Sequence, residues 1–161
     1  MKAGILTLSD KGSRGDREDL SGAVIREMLE GSGIAIKSYE VIPDEADLIS
    51  SKLKEWSDSK GLNLIITTGG TGLSPRDVTP EATLDVIEKR VPGMEEAMRT
   101  ESLKKTPNAM ISRAVAGIRG RTLIVNLPGS PKAVRENLGV ILPALPHALS
   151  KLGGDMSDCA S

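Results

Sequence analysis

With 161 residues, 39% hydrophobic and 27% charged, the chain has the make-up of one folded domain with a sizeable core, not of a disordered segment. A net charge of −1 and a pI near 5.9 set aside a general polyanion binder, so no nucleic acid is expected as a partner; the apolar runs are too short for a membrane span or a secretory leader. The single Cys159 cannot form an internal disulfide, so the cytoplasm is the expected compartment.

Lys2 to Leu8 reads as a buried strand closed by Ser9-Asp10. Residues 11–19, KGSRGDRED, read as a charged, glycine-bearing loop. Asp19 is a cap for a helix through Glu30 whose Leu20, Val24, Met28 and Leu29 recur at helical spacing. Residues 34–42 form a second strand, stopped by Pro43-Asp44. Ala46, Ile49, Leu53 and Trp56 then share one helix face. Leu62 to Ile66 is a third strand, and it runs into glycines. Thr79 as N-cap and Pro80 at the first helical position start a helix carrying Leu84, Ile87 and Val91, which Pro92-Gly93 breaks. A short helix follows over 94–103. Ala114 to Ile118 and Thr122 to Leu127, joined by Arg119-Gly120-Arg121, make a hairpin. Ser130-Pro131 begins a last helix interrupted by Pro143 and Pro146. A loose tail is expected from Gly153, leaving 1–152 as the domain. Strands alternating with helices predict an α/β fold with helices on both faces of a mostly parallel sheet.

The chemistry concentrates after the third strand. Gly69-Gly70-Thr71-Gly72 offers positive φ and bare backbone N–H groups at a helix start, a setting for an anion. It is not a Walker A loop, because no Lys-Ser or Lys-Thr pair follows, and Pro75 spoils a dinucleotide fingerprint. In a parallel sheet the ends at Ser9-Asp10, Pro43-Asp44, Gly69 to Asp77 and Asn126 to Ser130 meet along one edge. Acids beside an anion loop conflict unless a cation lies between them. Mg²⁺ takes one or two carboxylates together with substrate phosphate oxygens, so Asp44 and Asp77 point to metal-assisted nucleotide chemistry. Each residue also has a plainer reading. Asp44 serves equally as a helix N-cap and Asp77 as a loop residue bonded to its own backbone, and Arg76, Arg99, Lys104, Lys105 and Arg113 as solvated charges. With one His, His147, on the last helix, no Ser-His-Asp, Cys-His or zinc pattern can be assembled. With Phe absent and Tyr39 and Trp56 the only aromatics, a flat heterocycle would be held mainly by hydrogen bonds.

TTGGTGLSPRDVTPEAT at 67–83 resembles the signature of the molybdenum-cofactor biosynthesis domain, and more narrowly the MogA/MoaB family of molybdopterin adenylyltransferases and the matching domains of gephyrin-type fusions. Leu8-Ser9-Asp10, Asp19 to Gly22, Val41 to Glu45, Pro92-Gly93, Ser112-Arg113 and Asn126 to Pro131 extend the likeness in order. The resemblance implies a three-layer α/β/α sandwich, a homotrimer, and AMP transfer from Mg-ATP to the terminal phosphate of molybdopterin with release of pyrophosphate. It places Asp44 and Asp77 as catalytic and metal-holding residues. It places Ser9, Asp10, Thr68, Gly69, Gly70, Thr71, Gly72, Ser112, Asn126, Pro128 and Gly129 at the substrates. A transient contact with the molybdate-inserting enzyme is a further implication. The alternatives within this resemblance are a catalytically silent pterin-binding or scaffold module, molybdate insertion, and hydrolysis of a nucleotide pyrophosphate as in CinA-type relatives.

Overall fold

The computed structural model describes residues 1–155; residues 156–161, with Cys159 and most of the expected tail, lie outside the described residues. Six strands form one mixed sheet: β1 (Lys2–Leu8), β2 (Ala35–Ile42), β3 (Leu64–Thr68), β4 (Lys89–Arg90), β5 (Ala116–Arg119) and β6 (Thr122–Leu127), in the spatial order β2-β1-β3-β6-β5-β4. The first four in that order run parallel, and β5 and β4 add an antiparallel edge. All of β3 and β6 and six of the seven residues of β1 are buried. Central parallel strands covered on both sides therefore read as continuous apolar runs.

Alternate residues feed two cores. Ile5, Ile66 and Val125 pack with Ile25 and Leu29 of α2 (Leu20–Gly31), Met98 of α5 (Pro92–Leu103), Leu138 of α6 (Pro131–Ile141) and Leu145 of α7 (Leu145–Leu152). On the other face Leu6, Ile65 and Ile124 pack with Ile49 and Leu53 of α3 (Ala46–Lys54), Trp56 beyond it, and Ala82 of α4 (Thr79–Leu84). This is the expected three-layer α/β/α sandwich.

Several elements depart from the sequence reading. The charged loop opens with one helical turn, α1 (Asp10–Ser13), because the Ser9 hydroxyl accepts the Gly12 N–H at 3.0 Å. Asp19 does cap α2, accepting the Gly22 N–H at 2.8 Å, but Leu20 is exposed and Ile25 is the inward residue. The stretch read as one helix from Thr79 to Val91 ends at Leu84; Lys89–Arg90 instead pairs with β5, and Pro92 starts α5 at its first position instead of ending a helix. Pro is tolerated there because that N–H has no intrahelical partner. Pro143 and Pro146 do interrupt the last helix, through a 3₁₀ turn at Leu142–Ala144.

Candidate functional site

The parallel register brings four strand ends level: Leu8 lies opposite Ile42, Thr7 opposite Thr68, and Thr68 opposite Leu127. The loops that leave them therefore share one edge of the sheet, as parallel α/β sheets place their ligand sites.

At its centre is the glycine loop. Gly69 and Gly70 hold φ of +97° and +62°. A Cβ on Gly69 would run into the Leu8 carbonyl, and one on Gly70 would meet the Thr79 hydroxyl and stand 2.9 Å from Asp44 Oδ1. Only glycine permits both this backbone and this approach. The sequence pattern predicts Thr79 as the N-cap of α4. Instead Val78 holds that position, and the Thr79 hydroxyl donates to the Gly69 carbonyl at 3.0 Å while its N–H donates to the Gly70 carbonyl at 3.2 Å. Thr79 thus fastens the loop to the start of α4.

Around this loop lie three carboxylates. Asp10 and Asp44 are paired reciprocally: the N–H of each donates to a carboxylate oxygen of the other, both at 3.1 Å. Asp77 sits beside Gly72, since a Cβ there would lie 2.8 Å from its Oδ2, and that oxygen accepts the Ser74 N–H at 3.0 Å. Burial, then repulsion from Asp10 and Asp77, hold the Asp44 carboxyl above its ordinary 3.8, against the pull of the Asp10 N–H and Arg76. Asp10 is held below 3.8, chiefly by hydrogen bonds from Arg76 and by the Asp44 N–H. Arg76 grips Asp10 with two bonds, Nε to Oδ2 at 3.0 Å and Nη2 to Oδ1 at 2.8 Å.

Arg113, which the sequence leaves as a surface charge, fixes the curvature of this loop. Its N–H donates to Thr71 O at 2.9 Å, Nε to Gly72 O at 2.7 Å and Nη2 to Asp77 O at 2.7 Å, and Nη1 pairs with Glu81. No feature of sequence pattern distinguishes an arginine aimed at carbonyls from one in solvent.

Two cavities flank the loop. One, of about 250 Å³, is lined by Thr71, Gly72, Glu95, Ile111, Ser112 and Pro128, and its walls are largely apolar. The other, of about 190 Å³, is lined by Ser9, Gly12, Asp19, Thr68, Gly69 and Gly129. Among the expected site residues, Asp10, Asp44 and Asp77 gather at the loop, Thr71, Gly72, Ser112 and Pro128 face the first cavity, and Ser9, Thr68, Gly69 and Gly129 face the second. Thr68 also donates to the Pro128 carbonyl at 2.6 Å, clamping the two glycine turns together. Asn126 is placed differently. It is fully buried; its amide donates to Thr67 and Thr83, both at 2.9 Å, and its oxygen accepts the Val115 N–H at 3.1 Å. It braces the strand end from below.

Among the described residues no group of three or more His, Cys, Asp or Glu side chains could hold a metal by itself, and no helix is long and apolar enough to cross a membrane. Mutually repelling carboxylates with one of them held above its ordinary range are nevertheless a fitting donor set for a hard cation that draws its remaining ligands from water and phosphate.

Comparison with known proteins places the chain closely. Residues 4–147 match the model of the probable molybdopterin binding domain. Gephyrin of Dictyostelium discoideum is 49% identical over 91% of this chain, which spans 22% of that protein's length. Molybdopterin adenylyltransferase of Helicobacter pylori J99 is 46% identical over 94% of this chain and 88% of its own. The crystal structure of the molybdopterin biosynthesis enzyme MoaB from Thermus thermophilus superimposes with a TM-score of 0.90 at 55% identity, covering 96% of this chain and 97% of that one.

Proposed function

Because this chain belongs to the molybdopterin-binding MogA/MoaB family, we propose that it is a molybdopterin adenylyltransferase, a nucleotidyltransferase that moves AMP from ATP to the terminal phosphate of molybdopterin and releases pyrophosphate. The observation that carries the reading is the meeting of three carboxylates, two glycine turns and two cavities at one sheet edge. One substrate would lie on either side of the Gly69–Gly72 loop, with the reacting phosphates over it. The apolar-walled cavity at Ser112 and Pro128 suits the flat pterin.

The attacking phosphate is already anionic, so no strong base is needed. The demand is to hold two anions in line. Bare N–H groups of the loop orient the phosphates, and Asp44 and Asp77 would hold Mg²⁺ with Asp10 keeping Asp44 in place. Bound there, the ion neutralises charge on the transferring phosphoryl group. Arg113 keeps Gly72 and Asp77 in register. We further infer a cytoplasmic homotrimer that docks transiently with a molybdate-inserting enzyme. The exposed Leu73, Met110 and Ile111, the last of them lining the first cavity, support a contact between copies.

Incubation with Mg-ATP and molybdopterin tests the reading. Adenylylated pterin and pyrophosphate in equal amounts are the expected products. Pterin bound but unchanged would mean a silent module, and nucleotide hydrolysed without pterin a hydrolase; either overturns the proposal.

A further inference from the structure

We propose that Arg76 is a phosphate-binding residue with an exchangeable partner: its guanidinium, paired with Asp10 in this structure, transfers to the polyphosphate of the bound nucleotide. The inference rests on the reading above in that it takes the nucleotide's phosphates to lie at the glycine loop.

A carboxylate and a phosphate offer the same two-oxygen edge to the guanidinium fork, so one can replace the other without a change of geometry. The present pair is cheap to open. Its side chains are 58% and 31% exposed, and ion pairs in contact with water contribute little to stability. Opening it leaves no buried charge unpaired, because the Asp10 side chain reaches water and keeps the Asp44 N–H on Oδ1. The other arginines that bind the site's backbone are not exchangeable in this way. Arg113 is spent on the carbonyls of Gly72 and Asp77. Arg99 is spent on those of Ser112 and Ala114 and on buried Glu95. Removing either would leave carbonyls without donors, which is costly. Arg76 also stands next to Asp77 on the same turn, with its own N–H on the Ser74 hydroxyl at 3.3 Å. It is therefore tethered within reach of whatever the loop binds. Three carboxylates would otherwise meet an incoming polyphosphate, and the guanidinium that now quiets one of them supplies a positive charge to that phosphate.

The test is calorimetric titration of the full chain with ATP in magnesium buffer and, separately, with inorganic pyrophosphate, in the absence of molybdopterin so that no turnover occurs. R76Q is expected to weaken both by about ten- to a hundredfold, the range for losing one charged hydrogen-bonding partner, and R76K by less. Thermal midpoints should stay close to that of the parent, which separates lost binding from lost folding. D10N, which unlatches the guanidinium, is expected to tighten ATP severalfold more when Arg76 is present than in the R76Q background, where only relief of repulsion remains. Parent-like affinity in R76Q, or a D10N effect of the same size in both backgrounds, overturns the proposal. Arg76-dependent ATP binding without any adenylylated pterin would sink the functional reading and leave this inference standing. AMP transfer by R76Q at parental affinity would do the reverse.

Discussion

Glu95, on α5, is buried to within 3% of its side chain, and it receives Arg90 Nη2 at 2.6 Å, Arg99 Nη2 at 3.3 Å and the Ala116 N–H at 3.0 Å. Asp44, beyond β2, is partly buried, repelled by two further acids, and has Arg76 only at one remove through Asp10. The first acid has its charge cancelled on the spot and ties the antiparallel edge of the sheet to α5. The second is left with negative charge to spare, which is what a site needs if a cation is to come between it and a phosphate. The difference separates a carboxylate that serves the fold from one that serves chemistry, and local charge balance shows it where residue type does not.

The largest effect on the structural side of this contrast is expected from Glu95→Ala. It takes a carboxylate from two arginines and leaves a buried strand N–H without its acceptor, and should cost about 3 kcal/mol in chemical denaturation, near the low end for broken buried pairs because both arginines reach water. A loss below that of an exposed ion pair would erase the contrast. Gly70→Ala comes next. An L-residue at that positive φ costs about 1–2 kcal/mol, and its Cβ presses on Thr79 and Asp44. Transfer activity should therefore fall further than stability does, and a variant with parental turnover would show that the loop's shape is dispensable.

The smallest effect carries the opposite sign. Because the folded-state pKa of Asp44 is raised above its ordinary 3.8, its ionised form opposes folding. That cost is present at neutral pH and disappears as pH falls through the raised value toward 3.8. Asp44→Asn should thus be slightly more stable than the parent at pH 7, by a small margin because the group is only partly buried, and level with it in acid, while losing activity. A variant less stable at pH 7 would place Asp44 with Glu95 as a structural acid.

Much of this was legible in the sequence. β1, the Asp19 cap, the hairpin at Gly120 and the broken last helix follow from apolar periodicity and turn chemistry. The convergence of Asp10, Asp44 and the glycine loop follows from parallel strands ending level. What stayed hidden depends on tertiary partners. A two-residue strand such as β4 has no periodicity of its own and exists because β5 lies beside it. Asn126 is tied by its side chain to Thr67, Thr83 and the Val115 N–H, partners that no local pattern displays. Arg113 and Arg76 read alike as surface charges, yet one grips carbonyls and the other a carboxylate.

The account is tested most directly by Asp77→Asn, with AMP transfer and molybdopterin binding measured on the same preparation. Transfer should fall by about a hundredfold or more, in line with the loss of a transition-state charge-stabilising group, while the pterin affinity and the thermal midpoint hold. Undiminished transfer, or pterin affinity lost in proportion to transfer, would contradict it.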